Sequence, residues 1–447
     1  MCASRPHLDL PGATTQEGGR TIVIGRRCLL AGATATALAA PWVGAAAAER
    51  APVLLIPGYR PDLARLRGWP LVHHPEFARS MPEGWRGPRT LLTRIGPDGS
   101  VARAVLPIAI HHVAAAPDRR RAFVSSLEGE SFLLVDLAGL EVEALLAPHA
   151  EGFVGGGHAV WSSEGAVVYV TERRVPGPFS GDPAAQEGRV VVRDGADGRV
   201  LAVWPSGGIG PHDIALLPDG RTLAVAHYGS PDSGRGPNGP KAPGVVEPSI
   251  AFLDRRDGRL LDRLVGPDRG LEIRHLTGID ATHVVAIQTR LVEGDETLAG
   301  GPAGEVTEAD DTVAPGLVFA PAPLLDVRRT REGWTAHAVP TPEPWAFRQG
   351  QSLVFDPRHG EVIATFPSAH ALVVLDARTA SVRRVIRTTA MGLGRPRGVG
   401  LLPDGRHYVV SGHWRGLLVL RRGEHRPVFE RSRLDLPFFG HSHLTVV

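Results

Sequence analysis

Two identical hexapeptides, Leu216-Leu217-Pro218-Asp219-Gly220-Arg221 and Leu401-Leu402-Pro403-Asp404-Gly405-Arg406, constrain this chain more than any other feature. Each reads as an apolar strand running into an Asp-Gly hairpin turn, so the two mark equivalent places in a repeat. Looser copies stand at Ala116-Pro117-Asp118-Arg119, Ser162-Ser163-Glu164-Gly165 and Phe355-Asp356-Pro357-Arg358. A second hairpin recurs further along each unit, as in Val190 to Asp194 with Gly198 to Val203, Ile250 to Asp254 with Gly258 to Leu261, and Leu372 to Asp376 before Ser381-Val382. Four antiparallel strands per unit, repeated at this length, are the signature of β-propeller blades, in which each sheet packs face to face on its neighbours.

The residues that open the first strand of each unit set the register: His112, His158, His212, His275, Gln351, Arg397 and His443. Three of the intervals equal 46 residues and the others are longer. The longer ones hold segments rich in Gly, Pro and polar residues, 173–188, 229–248 and 293–315, which read as insertions. The last unit has only a first strand, after His441-Ser442-His443, and needs partners from near the N-terminus. Val53 to Ile56, Thr90 to Arg94 and Val101 to Val105 supply them, so the expected fold is an all-β, seven-bladed propeller closed by N- and C-terminal strands in one blade.

Composition agrees with this class. Glycine (54) and proline (39) are abundant, as many short strands and turns require. A net charge of +2 with no Lys/Arg run removes the electrostatic reason to expect nucleic acid. Residues 1–48 read as an export leader of the twin-arginine type. Arg26-Arg27 precede the small, mildly apolar run Ala31 to Ala48, which offers Ala-x-Ala cleavage options. The expected mature domain is then 49–447, periplasmic and without a transmembrane segment. Both cysteines, Cys2 and Cys28, fall in the leader, so disulfides and thiolate ligands are excluded from that domain.

Strand reversal puts the start of each first strand and the end of each second strand on one face of the disc. The three insertions and the opening residues therefore share one rim, the face expected to carry function. The ring expected at the channel mouth comprises His111, His112, His158, His212, Asp213, Arg274, His275, Gln351, Arg397, His441 and His443. Converging imidazoles bind transition metals such as Fe, Cu or Zn through neutral nitrogens, and His158, His212 and His275 are the candidate ligands, with Asp213 as ligand or support. Two other readings stay open: each histidine bonds a neighbouring blade's backbone, or Arg274 and Arg397 hold an anion. His73-His74 and Glu76 form a weaker cluster, and Trp161, Trp204 and Trp414 read as packing between blades. No Gly-x-Ser-x-Gly, phosphate loop, His-Glu-x-x-His or Cys-x-x-Cys-His is present.

Gly155-Gly156-Gly157-His158, Gly207-Gly208-Ile209-Gly210-Pro211-His212-Asp213, Pro231-Asp232-Ser233-Gly234-Arg235, Pro248-Ser249 and Ile273-Arg274-His275-Leu276 resemble the DUF1513 family of exported bacterial proteins over about residues 107–447. The resemblance implies a propeller related to the YVTN type. It also implies genomic neighbours of imelysin-like and di-haem-peroxidase-like character, which points toward periplasmic iron or another metal and names such proteins as partners. The function expected is a non-catalytic binding or scaffold propeller that handles iron or copper through its histidine-rich channel mouth. The alternative is a metal-assisted hydrolase or lactonase-like enzyme using the same mouth, with a histidine or Asp213 as general base.

Overall fold

A computed structural model of the chain describes residues 52–58, 90–232, 244–294, 317–438 and 443–447, together with the backbone of 22–23, 235–236 and 239–240. Arg26, Arg27, both cysteines, His73, His74, Glu76, His441 and most of the 293–315 insertion lie outside the described residues. Seven antiparallel sheets form a ring of blades. Blade 1 runs Ile110–Ala115, Arg121–Ser126, Phe132–Asp136, Glu141–Leu146. Blade 2 is Phe153–Trp161, Val167–Arg174, Glu187–Asp194, Val200–Ile209, and blade 3 is Pro211–Leu216, Thr222–His227, Ser249–Asp254, Leu260–Val265. Blade 4 comprises Glu272–Asp280, His283–Glu293, Leu325–Arg329 and Trp334–Ala338, with Leu317–Ala320 paired to the far end of its long second strand. Blade 5 holds Ser352–Asp356, Glu361–Phe366, Ala371–Asp376, Val382–Arg387, and blade 6 holds Pro396–Leu401, His407–Gly412, Arg415–Arg421, Arg433–Pro437.

Blade 7 joins the two ends of the chain. Thr445–Val446 is its inner strand and pairs with Leu54–Gly58, followed by Thr90–Ile95 and Val101–Leu106. Reciprocal backbone bonds between Val53 and Val447, at 3.1 and 2.8 Å, extend the closure. The ring therefore has no open blade edge on its inner side, as a stable propeller requires. The backbone of Ile22–Val23 lies against Leu145 and Ala144 on the outer edge of blade 1.

The second strands are apolar on both faces because a blade is covered on both sides, which is why they read as near-continuous runs. Along blade 4, Val284 and Ala286 pack toward blade 3 while Val285 and Ile287 pack toward blade 5. Tryptophans fill seams between blades: Trp161 donates from Nε1 to the Ala114 carbonyl at 2.8 Å, and Trp204 sits against Gly258 and Tyr169. A Cβ at Gly258 would stand 2.1 Å from the Trp204 ring. No helix among the described residues is long and apolar enough to cross a membrane.

Candidate metal centre

The inner strands carry the candidate residues to the axis, and a recurring irregularity decides how. A regular strand turns successive side chains to opposite faces, so only alternate residues would reach the centre. Register shifts interrupt the first strand at its start in blade 1 (between Ile110 and His112), blade 3 (Pro211 and Ile214), blade 4 (Ile273 and His275) and blade 6 (Pro396 and Val399). In blade 2 the shift falls opposite 156–158. Each is a β-bulge, which re-aims side chains and lets two adjacent residues face the same way. His111 and His112 both reach the cluster for this reason, as do His212 and Asp213.

Six imidazoles from five consecutive blades gather there: His443 (blade 7), His111 and His112 (blade 1), His158 (blade 2), His212 (blade 3) and His275 (blade 4). His158 is the hub. Its ring centroid lies 4.5 Å from that of His112 in a stacked pair, 4.7 Å from His212, 5.0 Å from His275, 5.0 Å from His443 and 5.1 Å from His111. His111 also contacts His212 at 4.9 Å and His443 at 4.7 Å. Nitrogens of His158, His212 and His275 all lie within 4.8 Å of one another. Packing this close needs Gly157, whose φ is +117°: a Cβ there would stand 2.6 Å from Cε1 of His212 and 3.0 Å from His111.

Asp213 orients the hub. One carboxylate oxygen lies 3.2 Å from Nδ1 of His158 and accepts the Ile214 N–H at 2.8 Å. The other accepts the Leu276 N–H of blade 4 at 2.9 Å and is 3.9 Å from Nδ1 of His275. With Nδ1 of His158 committed, its Nε2 carries the lone pair, and this nitrogen is buried without a hydrogen-bond partner. Nδ1 of His112 is likewise buried and unpartnered. Burial holds the imidazoles of His112 and His158 down to about 3, and keeps His212 and His275 well below the usual histidine range. Burial acts oppositely on Asp213, pushing it up to about 6 against the N–H bonds and the His112 charge that favour its anion. At neutral pH these four imidazoles are thus uncharged and stand beside one carboxylate.

The seams between blades are stitched largely by other groups. Ser125 Oγ donates to the Gly157 carbonyl at 2.5 Å, Thr171 Oγ1 to His212 O at 2.9 Å, Thr365 Oγ1 to Arg397 O at 2.6 Å, and Thr445 Oγ1 to Val113 O at 2.6 Å. Each crosses from one blade to the next. Asp213 does the same work between blades 3 and 4. His212 is a histidine that fits the stitching expectation, its Nδ1 bonding the Gly156 carbonyl at 2.6 Å, which leaves its Nε2 toward the cluster. His158 makes no such bond.

The non-histidine sector is occupied by its own contacts. Arg397 donates to Oε1 of Gln351 at 3.0 Å, and the Gln351 amide nitrogen lies 3.2 Å from Nε2 of His443. Arg274 is bound by Glu272 at 2.6 Å and lies over Tyr228 and Phe319, so its charge is already matched and turned to the wall. The anion reading thus has one of its two arginines paired off. Sequence reasoning missed that wall. Tyr228 stacks on His212 at 4.4 Å, Arg173 lies over the same ring, and Ser230 donates to Glu272 at 2.6 Å. Their signal was position, directly after a second strand and before an insertion. The peripheral His359 sits on the opposite turn, bonded to Asp356 at 3.0 Å.

Comparison with known proteins bears on fold and family. The structure is similar to Kuenenia stuttgartiensis hydrazine synthase, with a TM-score of 0.52 at 14% identity over 74% of this chain and 90% of that one, a likeness of fold. It also aligns with the β-propeller domain of Myceliophteria thermophila Cps50 (Swd1), with a TM-score of 0.38 at 13% identity over 59% and 63% of the two chains. No curated protein matches the sequence. A family model described as a protein of unknown function (DUF1513) matches residues 104–428, and the chain belongs to the DUF1513 family.

Proposed function

We propose that this propeller is an exported, non-catalytic protein that binds a transition metal ion, copper or iron, through the imidazole cluster, with His158, His212 and His275 as ligands. The observation that carries the reading is the buried, unpartnered Nε2 of His158, on a ring whose other nitrogen is held by Asp213. A carboxylate behind a histidine in this way fixes its tautomer and raises its basicity as a ligand. Leaving such a nitrogen dry and unbonded costs about 1–3 kcal/mol, which a bound cation offsets. Imidazoles without thiolates suit Cu, Fe, Zn and Ni, and among the divalent ions copper binds nitrogen sites most tightly. Ligation needs the neutral ring, the form that His158, His212 and His275 hold at neutral pH.

The hydrolytic alternative requires a free general base, a histidine or else Asp213. Its oxygens already accept from Ile214 and Leu276 and face His158, an arrangement suited to positioning. Partners of the imelysin-like or di-haem-peroxidase-like kind would meet the ion at the face where the insertions rise. The test is copper content after chelator stripping and reloading. His158→Ala should lose bound copper, whereas His359→Ala should retain it. A His158→Ala protein that melts lower but binds copper as the parent does would make the cluster structural and end the metal reading.

A further inference from the structure

The imidazoles form two overlapping triads. His158, His212 and His275 present nitrogens within 4.8 Å of one another, and so do His111, His158 and His443. His158 belongs to both and sits between them, its centroid 4.7 and 5.0 Å from the first pair and 5.1 and 5.0 Å from the second. Its Nδ1 is committed to Asp213 at 3.2 Å, leaving Nε2 as the one nitrogen it offers. A neutral imidazole nitrogen has a single lone pair in the ring plane and serves one ion at a time.

We infer that the channel contains two metal positions that share His158 and exclude each other. One ion per chain is held by His158 with either His212 and His275 or His111 and His443. This rests on the metal-binding reading above and goes beyond it, because it adds a second site and sets the stoichiometry. The two positions differ in what they displace. Arginine only donates, so Arg397 fixes the Gln351 oxygen toward itself and the amide nitrogen toward Nε2 of His443. An ion that takes this nitrogen of His443 must turn Gln351 away, whereas among the described residues no side-chain amide bonds Nε2 of His158. The position at His212 and His275 therefore fills in preference. An ion passes to the other by exchanging two ligands while His158 stays bound, a step that never returns the ion to water.

The test is a copper(II) titration of the chelator-stripped full-length chain, with bound ion counted by equilibrium dialysis and its ligand field read by electron paramagnetic resonance. The wild type should saturate at one ion. His275→Gln and His443→Gln should each still bind one ion, with spectra that differ from one another, and His158→Gln should bind none at the concentration that saturates the wild type. Two ions bound to the wild type overturn the inference without any variant. So does a single ion that His275→Gln abolishes, or identical spectra from the two variants, and in these cases metal binding itself still stands. A wild type that takes up no copper overturns the metal reading together with this one.

Discussion

Acid should unfold this propeller well above the pH at which its arginine-paired carboxylates protonate, and the size of the effect follows from the buried imidazoles. In an unfolded chain histidine titrates near 6.5. In the folded chain burial holds His112, His158 and His227 down to about 3, and shifts His212 and His275 in the same direction. A folded value below the unfolded one means that unfolding takes up protons. Stability is full above about pH 6.5 and is lost as the pH falls toward 3. Each such group costs about 1.4 kcal/mol per pH unit, so three cost about 4 kcal/mol per unit below about pH 6. Asp213 works the other way: held at about 6 when folded, it binds its proton before the unfolded chain does. That returns at most about 1.4 kcal/mol per unit between pH 6 and about pH 4. The net loss is roughly 3 kcal/mol per unit, against a total stability of about 5–15 kcal/mol for an ordinary domain. Arginine-paired carboxylates such as Asp356, depressed to about 2, act only below this window. Urea unfolding of the metal-free protein, followed by tryptophan fluorescence at pH 7.5, 6.5, 5.5 and 5.0, should show a flat stability that then drops steeply below pH 6.5. Saturating copper should resist the drop by mass action. A stability that stays constant or rises between pH 7 and pH 5 would refute the claim that these imidazoles are buried neutral.

Two further outcomes follow. Removing 443–447 deletes the pairing of Thr445 and Val446 with Leu55 and Leu54, the Thr445 bond to blade 1, and the buried Leu444 and Val447. Two such side chains contribute about 1.5–3 kcal/mol each, so the whole ring should melt earlier in one transition; an unchanged melting temperature would contradict the closure. Replacing Arg26 and Arg27 with lysine should leave the precursor uncleaved in the cytoplasm, as fractionation would read, and processed protein in the periplasm of a strain lacking the twin-arginine translocase would disprove the route.

The fold was legible because the information lies in local patterns. Asp219-Gly220 and Asp404-Gly405 announce hairpins through turn chemistry, with φ of +63° and +66° at the two glycines. The ring closure was findable from an unfinished last unit, whereas the spacing located strand openings only loosely: His158 stands well inside the strand Phe153–Trp161. The bulges were not legible, since they depend on which carbonyl of a neighbouring strand a backbone N–H meets, and that is settled by long-range pairing. For that reason the sequence could name His212 and Asp213 together but not say that the second would orient His158. Arg274 shows the converse. It precedes His275 on the inner strand, yet Glu272, two residues earlier, turns its charge to the wall, a competition that spacing does not encode.

The distribution of stitches around the ring has a mechanical consequence. Every junction within the imidazole sector is crossed by a directional bond at the inner strand: Thr445 between blades 7 and 1, Ser125 between 1 and 2, Thr171 between 2 and 3, Asp213 between 3 and 4. At the next junction the equivalent place belongs to Ile287, which packs against Gly350 so closely that a Cβ there would lie 2.5 Å from it. Apolar contact resists separation but has no preferred direction, so it opposes sliding less than a hydrogen bond does. The junction beside blade 5, where the histidines end, is thus held at this place by apolar contact, with Arg328 donating to the Arg378 carbonyl across it at 2.7 Å further out. The five blades that present imidazoles are joined into one hydrogen-bonded arc, which fixes the spacing of their nitrogens.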